Sequence, residues 1–291
     1  MSEYVVATAS TADLDANWMN QHHVPFVSYT FVIEDTSYKD DCTDATKQFI
    51  LEQMKMDKMV STTAVSVYEY MEFFESILAQ GKDILFLDMT KSLSSSFNNS
   101  LFAKEELSEK YPERTIEIID TNAVTSILGL LVKKAVQLHE EGKSLQEVTA
   151  WIEENKNNYH GRFLVNDLQW LRRGGRLSNA SAIVGSLLSI KPLIAVDGEG
   201  KLVAYSKVRG HMKARKQLLE DIQKDMNDKT AEQEVAVIYS GEKEEGEMFL
   251  EELKKSFPQI DNVQLYRLGP VIMGHIGPGF LAVVVYGNKR S

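Results

Sequence analysis

Disulfide bonding is the first thing this chain lacks: one cysteine, Cys42, stands in 291 residues. A lone thiol leaves no internal staple and fits a reducing compartment. No window approaches eighteen uninterrupted apolar residues, so neither a membrane span nor stable membrane insertion is expected. The opening MSEYVVATAS has no basic segment leading into an apolar core, so the expectation is a cytoplasmic chain without a secretory signal. An excess of basic charge is also missing. The net charge is −10, which argues against general nucleic-acid binding, since phosphate neutralisation needs a basic face. Neither G-x-G-x-x-G nor G-x-x-x-x-G-K-[ST] occurs, so no dinucleotide fingerprint or phosphate loop is supported. The six histidines do not fall at metal-ligand spacing with cysteine or carboxylates, and no metal or cofactor is expected.

What is present is a hydrophobic content of 43%, enough for a sizeable core in one large or two modest domains. Charge is unevenly spread. Residues 1–158 carry 13 Lys and Arg against 26 Asp and Glu, whereas 159–291 carry 19 against 16. Within 160–216 the balance is 11 to 3, which suits an anionic ligand or an acidic partner, although a solvated surface would show the same count.

Strand-like and helix-like patterns alternate. YVVAT (4–8), PFVSYTFVI (25–33), DILFLDM (83–89) and RTIEIID (114–120) read as strands. DATKQFILEQMKM and VYEYMEFFESILAQG place apolar residues three and four apart, as helices do, with Gly81 as a stop. SLQEVTAWIEENK (144–156) opens with a capping box, Ser144 and Glu147, and reads as the last helix of a first domain. Beyond Tyr159 come GRFLV, strands at about 201–208, EVAVIY (234–239) and FLAVVVY (280–286), and helices at 211–227 and 243–256. The expected fold is therefore two α/β domains. Residues 1–158 surround a mostly parallel sheet and residues 159–291 form a mixed α/β unit, with a ligand tunnel at or near their interface.

In such sheets ligands bind beyond the carboxyl ends of strands. Three hydroxyl-rich clusters fall there: VSTTAVS (60–66), TKSLSSSFNNS (90–100) and DTNAVTS (120–126). Hydroxyls and free N–H groups at helix starts hold a carboxylate or phosphate. Ordinary N-capping accounts for many of the same residues. A nucleophilic arrangement of Ser94, Asp120 and His275 is conceivable without the G-x-S-x-G turn that usually carries one.

One long segment, FLVNDLQWLRRGGRLSNASAIVGSLLSIKPLIAVDGEGKLVAYSKVRG, together with LGPVIMGHIGPG (268–279), resembles the DegV family of bacterial fatty-acid-binding proteins. Leu171, Gly174, Gly175, Arg176, Leu177, Ser178, Lys191, Pro192 and Arg209 match the family's motif in order, and His275, Gly277, Pro278 and Gly279 match its C-terminal His-x-Gly-Pro-Gly. The N-terminal half departs from the pattern at two places: Ala9 stands where the family has its first Asp, and Lys91 stands in the serine loop before Ser94. The resemblance implies a fatty-acid site. Its carboxylate would be held by Thr62, Thr63, Ser94 and His275, with Arg176, Arg209 and Gly277 beside the head group or a partner. The partner it implies is an ATP-dependent fatty acid kinase subunit, to which the chain presents its fatty acid for acyl-phosphate formation and phospholipid synthesis. The chain itself would not be an enzyme.

Physical chemistry runs alongside. ASAIVGSLLSI (180–190) mixes small and aliphatic residues, and Ile183, Leu187, Leu188 and Ile190 are candidates for lining an acyl tunnel, with plain core packing as the simpler reading. Burying ~14 methylenes gains roughly 11 kcal/mol before ordering costs. The head group needs its hydrogen bonds satisfied, because an unpaired buried carboxylate is very costly. Two other readings stay open: a small-molecule enzyme using Ser94, Asp120 and His275, and a lipid sensor or storage protein without a kinase.

Overall fold

The computed structural model describes residues 3–176 and 190–291. The N-terminal half runs β1 (Tyr4–Ala9), α1 (Ala16–Gln21), β2 (Phe26–Val27), β3 (Thr30–Ile33), β4 (Thr36–Lys39), α2 (Asp44–Lys55), β5 (Val60–Thr63), α3 (Val67–Leu78), β6 (Asp83–Asp88), α4 (Ser96–Lys110), β7 (Ile116–Asp120), α5 (Ser126–Glu140) and α6 (Leu145–Asn155). The C-terminal half follows with β8 (Tyr159–Leu164), α7 (Leu168–Gly174), β9 (Ile190–Val196), β10 (Leu202–Arg209), α8 (His211–Asp225), β11 (Val235–Tyr239), α9 (Lys243–Ser256), β12 (Val263–Arg267), α10 (Pro270–Ile276) and β13 (Leu281–Tyr286).

Three sheets organise these elements. The first is wholly parallel in the order β2-β1-β6-β7. Every residue of β6 is buried, as expected for a central parallel strand covered on both faces. The second sheet, β10-β9-β8-β13-β11-β12, is antiparallel except for the β11–β12 pair. Side chains of β13 alternate between two environments. Leu281, Val283 and Val285 join the core under α8 and α9, while Ala282, Val284 and Tyr286 join the core shared with the N-terminal half. That double burial explains why LAVVVY is continuously apolar in an otherwise antiparallel setting. The fold is thus two α/β domains, one parallel and one mixed, with a continuous core between them.

The third sheet, β4-β3-β5, is antiparallel and departs from the sequence reading at one place. Residues 25–33 do not form one strand. Phe26–Val27 pairs with β1, and Thr30–Ile33 pairs with β4 and β5. The break occurs because the Tyr29 N–H donates to Ser10 Oγ at 3.1 Å and the Tyr29 carbonyl accepts from Asp40 N–H at 2.9 Å, which takes the chain out of one ladder and into another. Residues 60–63 form β5, and 60–66 precedes a helix as expected, with Ser66 capping α3 in a capping box with Glu69. The box at Ser144 and Glu147 forms as expected. No helix among the described residues is long and apolar enough to cross a membrane.

Candidate functional site

The hydroxyl-rich loops meet because parallel strands deliver their carboxyl ends to one edge. β6 ends on Asp88 and leads into the loop carrying Leu93 and Ser94; β7 ends on Asp120 and leads to Val124 and Thr125. From the other half comes α10, a two-turn helix with Pro270 in its first turn. It packs on β5 through Gly274, where an added Cβ would lie 2.8 Å from Val60 Cγ1. This close approach sets His275 against β5, and Thr62 Oγ1 lies 2.8 Å from His275 Nε2. The opposite edge of the imidazole faces Gly174 of α7, where a Cβ would come within 2.5 Å of Nδ1. Two glycines therefore clamp one histidine between β5 and α7.

Beneath this contact lies a cavity that is partly open to solvent. Thr62, Thr63, Ser94, Arg176 and His275 are among its walls. Apolar walls come from both halves, among them Met89, Leu93 and Val124 on one side and Phe163, Leu202 and Phe280 on the other. The polar groups are modest in charge. Burial, assisted by the neighbouring Arg176 guanidinium, pushes the His275 imidazole down to about 4, so it is neutral near pH 7. In the tautomer with hydrogen on Nε2, His275 donates to Thr62 and leaves the Thr62 hydroxyl proton available to a ligand oxygen. Ser94 Oγ donates to Ser96 Oγ at 3.0 Å and accepts from Ser96 N–H at 3.2 Å, so it also shapes the start of α4. Arg176 is exposed; its Nε donates to the Leu93 carbonyl at 3.2 Å and its Nη1 to the Gly174 carbonyl.

Behind the site is a buried acid. Asp88 is fully buried, receiving the Tyr70 hydroxyl at 2.8 Å and the Met89 N–H at 2.8 Å. Burial raises its carboxyl to about 7 against those hydrogen bonds, with the Asp120 carboxylate adding repulsion. Asp13 is buried too, and accepts from Thr125 Oγ1 at 2.5 Å. That bond ties down a β-branched residue held at φ 52°, a conformation L-residues rarely adopt.

Other residues named from the sequence fall outside the cavity lining. Arg209 is exposed at the end of β10, paired in register with Ile190 at the start of β9. Gly277 backs onto the Trp170 ring, and its carbonyl accepts from Ser240 Oγ at 2.9 Å. Ile183, Leu187 and Leu188 lie outside the described residues. Asp120 does not line the cavity. Its Oδ1 accepts from Asn122 N–H at 3.1 Å and its Oδ2 lies 3.5 Å from Lys91 Nζ, so the Ser94, Asp120 and His275 constellation is not assembled. Tyr29, Thr125, Phe163, Leu202 and Phe280 are wall residues that the sequence reading missed. No spacing signal marks them, since they sit at strand ends and turns that only the tertiary fold brings together.

The two-domain α/β fold thus encloses a largely apolar cavity whose walls also carry hydroxyls, an imidazole and a guanidinium. The chain belongs to the DegV family: the family described as "Uncharacterised protein, DegV family" matches residues 3–288. It is 35% identical to a DegV domain-containing protein of Clostridium perfringens over 292 residues, covering 100% of both chains. The structure is similar to that of a DegV family protein from Thermus thermophilus described for its fatty-acid binding, with TM-score 0.86 and 27% identity over 99% of this chain and 100% of that one. It is also similar to a fatty-acid-binding DegV family protein from Streptococcus agalactiae, with TM-score 0.84 and 28% identity over 99% and 100% of the two chains.

Proposed function

We propose that this protein binds one long-chain fatty acid, with its carboxylate at Thr62, Ser94 and His275 and its chain in the apolar cavity between the halves. The observation that carries the reading is the polarity of the cavity. Thr62 and His275 are bonded to each other with the Arg176 guanidinium nearby, and aliphatic and aromatic side chains make up most of the remaining walls. The fatty-acid binding of the Thermus thermophilus and Streptococcus agalactiae relatives supports it. A neutral imidazole and two hydroxyls suit a carboxylate that must be hydrogen-bonded yet released, and Arg176 supplies the countercharge. Lipids extracted from freshly purified, denatured protein are expected to contain about one fatty acid per chain, and palmitate or oleate should raise the Tm of delipidated protein by mass action. Lipid-free extracts together with no thermal shift would defeat the proposal.

The finer role is carriage. The protein, organised as domains 1–158 and 159–291, holds its fatty acid in the cytoplasm for a separate ATP-dependent kinase that makes the acyl phosphate for phospholipid synthesis. Support comes from the exposed Arg172, Arg173 and Arg176 beside the cavity and from Arg209, which faces solvent rather than ligand. The isolated chain is expected to form no acyl phosphate from ATP. With the kinase supplied, Arg209→Glu should lower turnover while leaving fatty-acid affinity nearly unchanged; turnover by the chain alone, or full activity of that variant, would count against carriage.

A further inference from the structure

We propose that the Tyr29 hydroxyl is a further head-group ligand, donating a hydrogen bond to the carboxylate of the bound fatty acid; this rests on the fatty-acid reading above and deepens it. Tyr29 is 2% exposed and is one of the cavity walls. Its hydroxyl has no hydrogen-bond partner of good geometry among the described residues, although the hydroxyls of Ser94, Ser96 and Tyr70 and the Asp88 carboxylate lie near it. A phenol stranded in this way is costly unless something in the cavity accepts its proton.

The neighbouring groups have hydrogen bonds of their own. Ser94 and Ser96 bond to each other, Ser96 Oγ also accepts from the Val65 N–H at 3.0 Å, and the Tyr70 hydroxyl is given to Asp88. Tyr29 itself cannot easily swing away. Its N–H is bonded to Ser10 Oγ, its carbonyl to Asp40 N–H, and the next residue enters β3. It is therefore a fixed donor. Burial, with the Asp88 carboxylate nearby, pushes the phenol far above its ordinary range, so the proton stays on the oxygen. Its nearness to Ser94 places that proton at the polar end of the cavity. A carboxylate oxygen arriving at Thr62 and Ser94 would accept the Tyr29 hydroxyl proton as well.

This arrangement makes an unusual prediction for Tyr29→Phe. Most substitutions of a buried tyrosine weaken both stability and binding. Here the hydroxyl has no protein partner of good geometry among the described residues, so delipidated Tyr29→Phe should melt at or above the wild-type Tm, while its palmitate Kd rises roughly 10- to 100-fold, the loss of one bond to a charged group. Hexadecanol, which offers a neutral acceptor, should lose less affinity. Calorimetry with both ligands and a thermal melt of the delipidated proteins test it together. Wild-type affinity for palmitate in Tyr29→Phe, equal losses for palmitate and hexadecanol, or a lowered Tm of the delipidated variant would each overturn the assignment while leaving the fatty-acid reading intact. Failure of the wild-type protein to bind palmitate at all would instead overturn both.

Discussion

His275 illustrates how a single side chain is prepared for a ligand. Its neutrality comes from burial and from Arg176, and its orientation comes from Thr62 on one edge and Gly174 on the other. Removing either head-group hydroxyl, by Thr62→Ala or Ser94→Ala, should weaken palmitate binding by roughly 1.5–3 kcal/mol. The two losses should be less than additive, since both hydroxyls serve one small anion. Titration calorimetry of the single and double variants checks this, and unchanged affinity in the double variant would move the carboxylate elsewhere. Lys91→Ala should have little effect, because Lys91 lies beside Asp120 and is exposed. Asp88 offers a test by pH. Its carboxyl is raised to about 7 when folded against an ordinary value of 3.8, so the folded state holds the extra proton between those limits. Its contribution to stability is present below about pH 4 and is lost as pH rises through about 7. The Tm of Asp88→Asn relative to wild type should therefore climb between pH 4 and pH 7. The relative measurement is needed because His275, lowered to about 4, acts in the opposite sense over part of that range. A flat difference would show that Asp88 is ionised throughout.

At the scale of elements, the seat of α10 on β5 decides whether the site exists. Gly274 permits that contact, and Gly274→Ala would press a methyl group onto Val60. Overpacking of this kind costs about 1–3 kcal/mol. Because His275 is the next residue, ligand affinity should fall along with stability. Val60→Ala makes room for the added methyl, so the double variant Gly274→Ala/Val60→Ala should recover much of the lost affinity. If the double variant binds no better than Gly274→Ala alone, the contact is not what positions His275. The helices of the first half are more independent of tertiary detail. Ser144→Ala, which removes the capping box of α6, should lower stability by about 1 kcal/mol without touching ligand affinity.

Over the whole molecule, the two halves share one core and are pinned at its edges. Lys133 of α5 reaches Glu234 at 2.5 Å and the Tyr266 hydroxyl at 2.9 Å. Arg290 is buried and donates to the carbonyls of Asn122 at 3.1 Å, Asp197 at 2.8 Å and Lys156 at 3.2 Å. The Lys133 ties and the Arg290 bonds to Asn122 and Lys156 cross from one half to the other. A single cooperative unfolding transition is expected, with fluorescence of Trp18 and Trp151 in the first half coinciding with that of Trp170 in the second. Separate transitions in single-tryptophan variants would show that the halves melt as independent units, with the cavity opening first.

Local pattern was sufficient for much of this. The parallel strands β1, β6 and β7, the boxes at Ser144 and the long helices α2, α3, α8 and α9 follow from periodicity and capping, which act over a few residues. The motif residues Thr62, Ser94, Arg176 and His275 were legible as a set only through a family resemblance, since nothing in their spacing says that residues 62 and 275 touch. Tertiary structure decided the rest. It split the 25–33 run at Tyr29, because long-range bonds from Ser10 and Asp40 outweighed a local strand preference. It turned the Gly-rich 268–279 segment into a helix, because packing on β5 needs glycine at residue 274 and not because glycine favours a helix. It also placed Asp120 beside Lys91 instead of in the cavity, and set the Tyr29 phenol in the cavity wall without a partner of good geometry among the described residues. Such outcomes depend on which surfaces meet across the fold, and short-range sequence pattern carries no record of that.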